Sequence, residues 1–192
     1  MAHAFAACDG SYATQLLPLE REMIKGLLDE LCALLARDDD VDPKDLDPLA
    51  VQVGMMGLED SPVHPPDDPV LARLLPEGYR NDPMAASEFR RYTDGALRMG
   101  KIADAGVVRA GIERADADPD GSVSVTDDEA PAWLRSINDL RLALGVKLEI
   151  TDDSAQDLAD IPEDDPRALA AAVYDFLTWW QDSLVRAIVG DD

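Results

Sequence analysis

An acidic run in the second half of the chain has the residue types and spacing of a calcium-binding loop. Calcium binds several oxygen ligands at once, and the odd-numbered positions of an EF-hand loop supply most of them. The segment DADPDGSVSVTD, residues 116–127, places a glycine at the turn and an aspartate at its last position. A calcium-responsive binding module is therefore one hypothesis for this chain, with calcium as the cofactor. Its metal ligands would be Asp116, Asp118, Asp120 and Asp127.

Two residues weigh against a calcium site in this loop. Asp127 has a shorter side chain than the glutamate that usually ends an EF-hand loop, which makes bidentate binding harder. Pro131 would fall inside the exit helix of an EF-hand, where it removes a backbone hydrogen bond at a cost of about 3 kcal/mol. If Asp128 is instead the N-cap of a helix, the same proline lies in the first turn and costs little. The sequence thus favours an acidic turn before a helix.

The two cysteines, Cys8 and Cys32, are the candidates for redox chemistry. Thiols oxidise most readily where they are exposed and where nearby charge favours the thiolate. Cys8 adjoins the acidic Asp9, and Cys32 lies on the apolar side of a predicted helix, where a thiol usually packs as a small hydrophobic group. Two thiols are too few for a disulfide framework. So low a cysteine count is typical of a protein from the reducing cytoplasm.

Cations are concentrated in one predicted helix in the middle of the chain. They are the candidate partner-binding residues: Arg90, Arg91, Arg98 and Lys101. A surface of this kind would suit an acidic partner. The alternative is that these cations form internal ion pairs in so acidic a chain, which we favour over a surface for nucleic acid.

No residue pattern points to catalysis. His3 and His64 are the two histidines, and neither stands near a cysteine or carboxylate at the spacing of zinc ligands. No segment has the context of a nucleophile elbow. Aspartate and glutamate are so numerous that any chosen catalytic pair would be arbitrary. We therefore expect a protein that is not an enzyme.

The charge of the chain disfavours direct binding to nucleic acid. Its 192 residues include 40 acidic and 17 basic side chains, for a net charge of −23. Affinity for nucleic acid comes mainly from Lys and Arg, and anionic membranes are disfavoured for the same reason. Residues 1–72 hold 4 basic and 15 acidic side chains, residues 73–147 hold 11 and 13, and residues 148–192 hold 2 and 12. The acidic flanks suit a basic protein partner, and the alternative is a solvated surface that keeps the protein soluble.

The elements that would position these residues are mainly helical. Asp9-Gly10 is a turn pair between two short runs and predicts an N-terminal β-hairpin. SVSV (122–125) and VKLEIT (146–151) alternate like strands and are predicted to pair as a small wing. Apolar periodicity and helix-start prolines predict helices over residues 18–37, 69–75, 83–114, 128–144 and 166–189, and a short one within 49–58.

These elements predict a mainly α fold with small antiparallel β elements. We expect residues 1–192 to form a single domain with two helical lobes, residues 1–60 with 166–192 and residues 66–151. No stretch has the apolar length that crosses a bilayer, and the start MAHAFAACDG lacks the features of a secretory signal. Nothing in the sequence decides the oligomeric state, so a homo-oligomer stays open.

Four stretches of the chain resemble an actinobacterial family of proteins that share a domain of unknown function. They are GSYATQLLPLEREM (10–23), DPLAVQVG (47–54), PDDPVLARLLPEGYRNDPMAASEFRRYTDGALR (66–98) and WLRSINDLRLALGVKL (133–148). The resemblance runs in order over nearly the whole chain. The family includes an actinomycete oxidative-stress regulator. The resemblance implies a cytoplasmic transcriptional regulator that senses oxidation and acts through a stress sigma factor on RNA polymerase.

The chain departs from that family pattern at its cysteines. The regulator's sensing is attributed to two cysteines with three residues between them, and neither Cys8 nor Cys32 has a second cysteine at that spacing. The four positions concerned hold Ala4, Tyr12, Leu28 and Ala36. The sensing residues therefore do not carry over to this chain. Regulation without this switch, or a constitutive structural or adaptor protein with inert cysteines, is the alternative.

Overall fold

The computed structural model of the protein describes residues 2–36, 64–150, 161–162 and 164–190. In these ranges the fold is mainly α with one small antiparallel sheet, which confirms the predicted fold class. The predicted helix within 49–58 lies outside the described residues. The strands are β1 (Ala6–Cys8), β2 (Ser11–Gln15) and β3 (Ser122–Thr126). The helices are α1 (Pro18–Leu35), α2 (Pro69–Leu74), α3 (Pro83–Asp116), α4 (Ala130–Lys147) and α5 (Ala168–Val189).

The sheet has the strand order β1-β2-β3. The predicted hairpin is confirmed, because β1 and β2 pair across Asp9 and Gly10, both of which have positive φ. β2 also pairs antiparallel with β3, with Tyr12 opposite Val125. Val123 and Val125 point to the protein interior and are fully buried. The sheet therefore fixes the N-terminal hairpin to the segment that follows α3.

The predicted wing, in which residues 146–151 pair with residues 122–125, is wrong. Helix α4 continues through Gly145 and ends at Lys147, and β3 finds its partner in β2 instead. Leu144 and Leu148 are both buried at helical spacing, and the backbone N–H of Leu148 donates to the carbonyl of Leu144. Leu148 thus continues the helical spacing of Leu144 at the end of α4, and the strand-like alternation of VKLEIT does not produce a strand.

An aromatic cluster lies where α4, α5 and the N-terminal segment meet. Trp133 and Trp180 are fully buried, with their ring centroids 5.7 Å apart. Phe5 packs against both, at 6.1 Å from Trp133 and 5.3 Å from Trp180. Trp133 also closes onto α3 at Gly111, where a Cβ atom would stand 2.6 Å from the indole ring. Helices α3 and α4 therefore approach each other closely at Gly111.

Helices α1 and α3 run antiparallel, and a hydrogen bond donated by an arginine marks each end of their contact. Arg21, near the start of α1, donates to Asp116 at the end of α3 over 2.7 Å. Arg98, in the first half of α3, donates to the carbonyl of Leu35 at the end of α1 over 3.0 Å. Side chains of α1 between these ends, including Ile24 and Leu28, are buried in the core. The division of the chain into two lobes stays a prediction.

Candidate functional site

Asp116, the first residue of the predicted calcium loop, binds two cations of α1. Its Oδ1 accepts from Arg21 Nε at 2.7 Å, and its Oδ2 accepts from Lys25 Nζ at 2.8 Å. The hydrogen bond from Lys25, followed by that from Arg21, holds the pKa of Asp116 below its ordinary value. This carboxylate therefore fastens the end of α3 to the first turns of α1.

The other acidic residues of the loop have separate surroundings. Asp118 accepts from the backbone N–H of Asp120 at 2.8 Å, which closes a tight turn. Asp127 accepts from the hydroxyl of Tyr12 at 2.7 Å, and this hydrogen bond raises the pKa of Tyr12. Among the residues that the structure describes, no group of three or more His, Cys, Asp or Glu side chains is placed to hold a metal ion. Calcium binding stays a prediction, and it would require Asp116 and Asp127 to leave these partners.

Cys32 lies near the end of α1 and is half-buried against the core. Burial raises the pKa of the Cys32 thiol, and the charge of Asp29 raises it further, while the charge of Arg109 acts in the opposite direction. A raised pKa leaves less thiolate at neutral pH, and the thiolate is the reactive form. These surroundings favour a packing role for this thiol in its reduced state.

Cys8 ends β1 and is exposed. It pairs with Ser11 across the hairpin, and the hydroxyl of Ser11 donates to the carbonyl of Cys8 at 2.9 Å. Both cysteines are free thiols. The structure thus places Cys8 at the tip of the sheet and Cys32 beside Asp29 and Arg109 between two helices, in different surroundings.

Ion pairs within the protein are formed by cations that were predicted to bind a partner. Arg90 is buried, and its Nη2 donates to Glu77 at 3.1 Å. Arg98 donates from Nε to Asp94 at 2.8 Å, in addition to its contact with Leu35. Lys101 pairs with Asp139 at 2.7 Å. Arg91 lies half-buried on the same helix. These contacts are internal ion pairs of the kind that the sequence favoured over a nucleic-acid surface, and partner binding by these cations stays a prediction.

A groove of about 320 Å³ lies between α3 and α4, and we call it the charged groove. Two ion pairs cross it, Lys101 with Asp139, and Arg135 with Asp104 in a bidentate contact of 2.7 and 2.8 Å. Burial raises the pKa of Asp139, and the hydrogen bond from Lys101 partly offsets this. The remaining lining residues are Ala96, Leu97, Gly100 and Asn138.

A cavity that contains a carboxylate with a raised pKa is where acid–base chemistry is first sought. In the charged groove, however, both carboxylates are held by cations, Asp139 by Lys101 and Asp104 by Arg135. Proton transfer by either carboxylate would first require its ion pair to break. The geometry is that of a polar contact between two helices.

Sequence reasoning found Lys101 but not the other charged residues of the groove. Asp139 adjoins the apolar stripe of α4 in sequence and therefore lies at the edge of the buried face of that helix. Its side chain is 4% exposed. A carboxylate beside an apolar helical stripe signals that a cation must come to it from another element. The sequence held that signal, although not the identity of the partner helix.

A family model described as a domain of unknown function (DUF2017) matches residues 2–188 of the chain. The chain belongs to this family. The match spans every helix and strand of the structure, apart from the last residue of α5. It confirms the family resemblance predicted from the four sequence stretches.

Proteins named oxidative stress regulator AosR are similar to this DUF2017 chain. Those of Mycobacterium bovis (strain ATCC BAA-935 / AF2122/97) and of Mycobacterium tuberculosis strains H37Rv and CDC 1551 are each 33% identical to it over 190 residues. The alignments cover 93% of this chain and 83% of each relative. No solved structure gives a significant match. Within the described residues, none of the helices has both the length and the apolar character needed to span a bilayer.

Proposed function

We propose that this DUF2017 protein is a non-enzymatic regulator of the oxidative stress response that acts through contacts with other proteins, a sigma factor or RNA polymerase. One observation carries the proposal. Relatives named oxidative stress regulators align with 93% of the chain at 33% identity. Similarity over nearly the whole length includes the packing core as well as the surface, so it supports a shared role for the complete fold.

The net charge of the chain supports a function that depends on contacts with other proteins. A net charge of −23 repels nucleic acid, which binds through displaced counterions at Lys and Arg. The cations Arg90, Arg98 and Lys101 are already paired with carboxylates of the same chain. A regulator with these properties reaches a promoter by binding a protein that is itself bound there. The protein is expected to work in the cytoplasm, where that partner is found.

Capture experiments test the proposal directly. The full chain, immobilised through a tag, is exposed to purified RNA polymerase core and to purified stress sigma factors, with and without prior peroxide treatment. Enrichment of polymerase or of one sigma factor in either condition is expected. An immobilised unrelated protein of similar pI is the control for attraction by charge alone. If neither component is retained above that control in either condition, the proposal fails.

The same experiment examines Cys8 and Cys32 as redox residues. The Cys8→Ser and Cys32→Ser variants are each immobilised and exposed to the same components, again with and without peroxide. If one thiol senses oxidation, its serine variant loses the peroxide dependence and the other variant keeps it. The comparison assigns sensing to one residue because each variant is the control for the other.

A constitutive adaptor with inert cysteines is the second candidate, and the surroundings of Cys32 favour it. That thiol is half-buried and its pKa is raised, both of which slow oxidation. Non-reducing mass spectrometry after peroxide separates the two candidates. If peroxide changes neither the mass of the peptides that contain the two thiols nor the binding of the partner, the adaptor is supported. A modified thiol with altered binding would support the regulator.

A further inference from the structure

One face of α3 is exposed and uncharged over most of the helix. Its residues recur at alternating steps of three and four, the spacing of the a and d positions of a coiled coil. We call this face the α3 seam, and its members are Phe89, Tyr92, Ala96, Met99, Ala103, Gly106 and Ala110. Every one of them is exposed in the structure. The buried residues of α3, including Val108 and Ile112, lie on the opposite side of the helix.

The seam is unusual for a solvent-facing surface of this chain. Charged residues make up 30% of the sequence, yet none occurs among the seven seam positions. Tyr92 and Met99 expose 54% and 60% of their surface, and Phe89 exposes 39%. Large apolar side chains aligned along one exposed helix face mark an interaction surface. The regular a and d spacing specifies the shape of the partner, which is another helix.

The order of large and small side chains along the seam is self-complementary. When a second copy of α3 is laid antiparallel with Met99 opposite Ala96 of that copy, Tyr92 comes opposite Ala103 and Phe89 opposite Gly106. Each bulky side chain therefore meets a small one, and the twofold axis repeats the same three contacts on the other side. Close packing of two helices requires such interdigitation of large and small side chains.

The structure leaves room for this arrangement at its smallest residue. A Cβ atom at Gly106 would meet no atom within 4 Å, so the surface above Gly106 is open to a phenyl ring. At the edge of the same pairing, Glu88 comes within about 3 Å, measured along the helix axis, of the level of Arg109 of the second copy. Glu88 is exposed and Arg109 is partly exposed, with 40% of its side chain accessible. Arg109 already pairs with Asp29 and Glu113 of its own chain, so Glu88 of the second copy would stand near an existing ion-pair cluster at each end.

We propose that the protein forms an antiparallel homodimer through the α3 seam. Charge selects this face for self-association. Two copies that each carry −23 repel one another, and residues 73–147, which contain α3, hold 11 basic and 13 acidic side chains and are nearly neutral. The seam thus offers a second copy exposed apolar side chains in the segment with the smallest net charge. Added salt screens the repulsion of the acidic flanks and strengthens the dimer.

Site-specific cross-linking tests both the contact and its direction. In a Cys8→Ser/Cys32→Ser background, chains carrying Tyr92→Cys are mixed with chains carrying Ala103→Cys and oxidised mildly. A disulfide-linked dimer is expected in the mixture and not in either chain alone. In the antiparallel pair each introduced thiol stands about 16 Å along the axis from its own counterpart, which is too far for a bond. Mixing Tyr92→Cys with Ala172→Cys, an exposed position on α5, is the control and is expected to stay monomeric.

Sedimentation equilibrium with matched charge variants gives an independent measurement. Ala103→Glu places a carboxylate in the seam, and Ala172→Glu adds the same charge at an exposed alanine of α5. We expect Ala103→Glu to raise the dimer dissociation constant at least tenfold and Ala172→Glu to leave it close to that of the native chain. Circular dichroism checks that both variants keep their helix content.

Three results would overturn the proposal. The native chain sedimenting as a monomer at all concentrations and salt levels removes the dimer. Equal dissociation constants for the native chain and Ala103→Glu place the interface elsewhere. A disulfide formed by Tyr92→Cys alone shows parallel pairing or another geometry. None of these outcomes depends on a sigma factor or RNA polymerase, so the inference stands or falls separately from the proposed function.

Discussion

The ammonium group of Lys101 and the carboxylate of Asp139 are joined by a hydrogen bond of 2.7 Å that ties α3 to α4. The Asp139 side chain is 4% exposed and the Lys101 side chain 21%. A charge this deeply buried is tolerated only because its partner is present, since removing one partner leaves an uncompensated charge in a poorly solvated site. The pair is therefore a sensitive point of the fold.

Lys101→Met is expected to lower the free energy of unfolding by about 3 kcal/mol, because it leaves the buried carboxylate of Asp139 without a cation. The double variant Lys101→Met/Asp139→Leu is expected to regain most of that loss, since neither charge is then buried. Arg135→Met, which breaks an exposed ion pair in the same groove, is the control and is expected to cost less than about 1 kcal/mol. Urea unfolding measures all three. A Lys101→Met variant as stable as the control would show that Asp139 is better solvated than the structure indicates.

The raised pKa of Asp139 makes part of the stability dependent on pH. Burial favours the protonated form in the folded state, so the folded protein retains this proton at a pH where the unfolded chain has released it. The stabilisation is fully present below the unfolded pKa and is lost as pH rises through the folded one. The free energy of unfolding of the native chain, relative to Asp139→Asn, is therefore expected to be greatest at acidic pH. Parallel denaturation series over that range test the sign.

Gly121 is required by the turn that leads into β3. Its φ of +65° lies in the left-handed region, and a Cβ atom there would stand 2.9 Å from the carbonyl oxygen of Leu16 and would also meet Arg21. Gly121→Ala is expected to destabilise the protein by about 2 kcal/mol, from backbone strain and from displacement of the Arg21 guanidinium. Gly26→Ala, at an open helical position of α1, is the control. It is expected to stabilise the fold by up to about 1 kcal/mol.

Local signals predicted the starts of α2 and α3 well, whereas α4 begins at Ala130 with Glu129, not Asp128, at the N-cap position. Asp68 and Asp82 cap α2 and α3 through their carboxylates, and each is followed by a proline that fits the first helical turn. The end of α4 was harder, because Gly145 has the residue type of a C-cap but lies inside the helix. Its neighbours Leu144 and Leu148 are held by core packing, which overrides a local preference.

Long-range partners were beyond the reach of sequence reasoning. Strand β3 lies more than a hundred residues after β2, and alternation alone does not say which strand it pairs with. The same holds for the charged residues. The sequence indicated an internal ion pair for Lys101, but only the packing of α3 on α4 identifies Asp139 as its partner.

The two thiols are expected to differ in reactivity. Cys8 is exposed, whereas Cys32 is half-buried and has a raised pKa, so iodoacetamide at neutral pH should modify Cys8 several-fold faster. Mass spectrometry of the native chain, with Cys8→Ser and Cys32→Ser to assign the adducts, measures the two rates. Unfolding in urea should make the rates similar, because it exposes both thiols. Faster modification of Cys32 in the folded protein would contradict the structural placement of that thiol.

Calcium is expected to bind weakly or not at all to the loop of residues 116–127. Asp116 would have to leave Arg21 and Lys25, and Asp127 would have to leave Tyr12, before either could join a shared metal site. Isothermal titration with millimolar calcium should give no heat beyond dilution, and the thermal midpoint should be the same with calcium and with a chelator.

The Asp116→Asn variant tests the structural role of the Asp116 carboxylate. It is expected to lower the thermal midpoint at neutral pH, whether or not calcium is present. Because the pKa of Asp116 is lowered in the folded state, that stabilising effect is lost as pH falls through the lowered pKa, and the variant and native midpoints should then converge. A saturable calcium heat that disappears in Asp116→Asn would instead restore the calcium-binding module as the function of this loop.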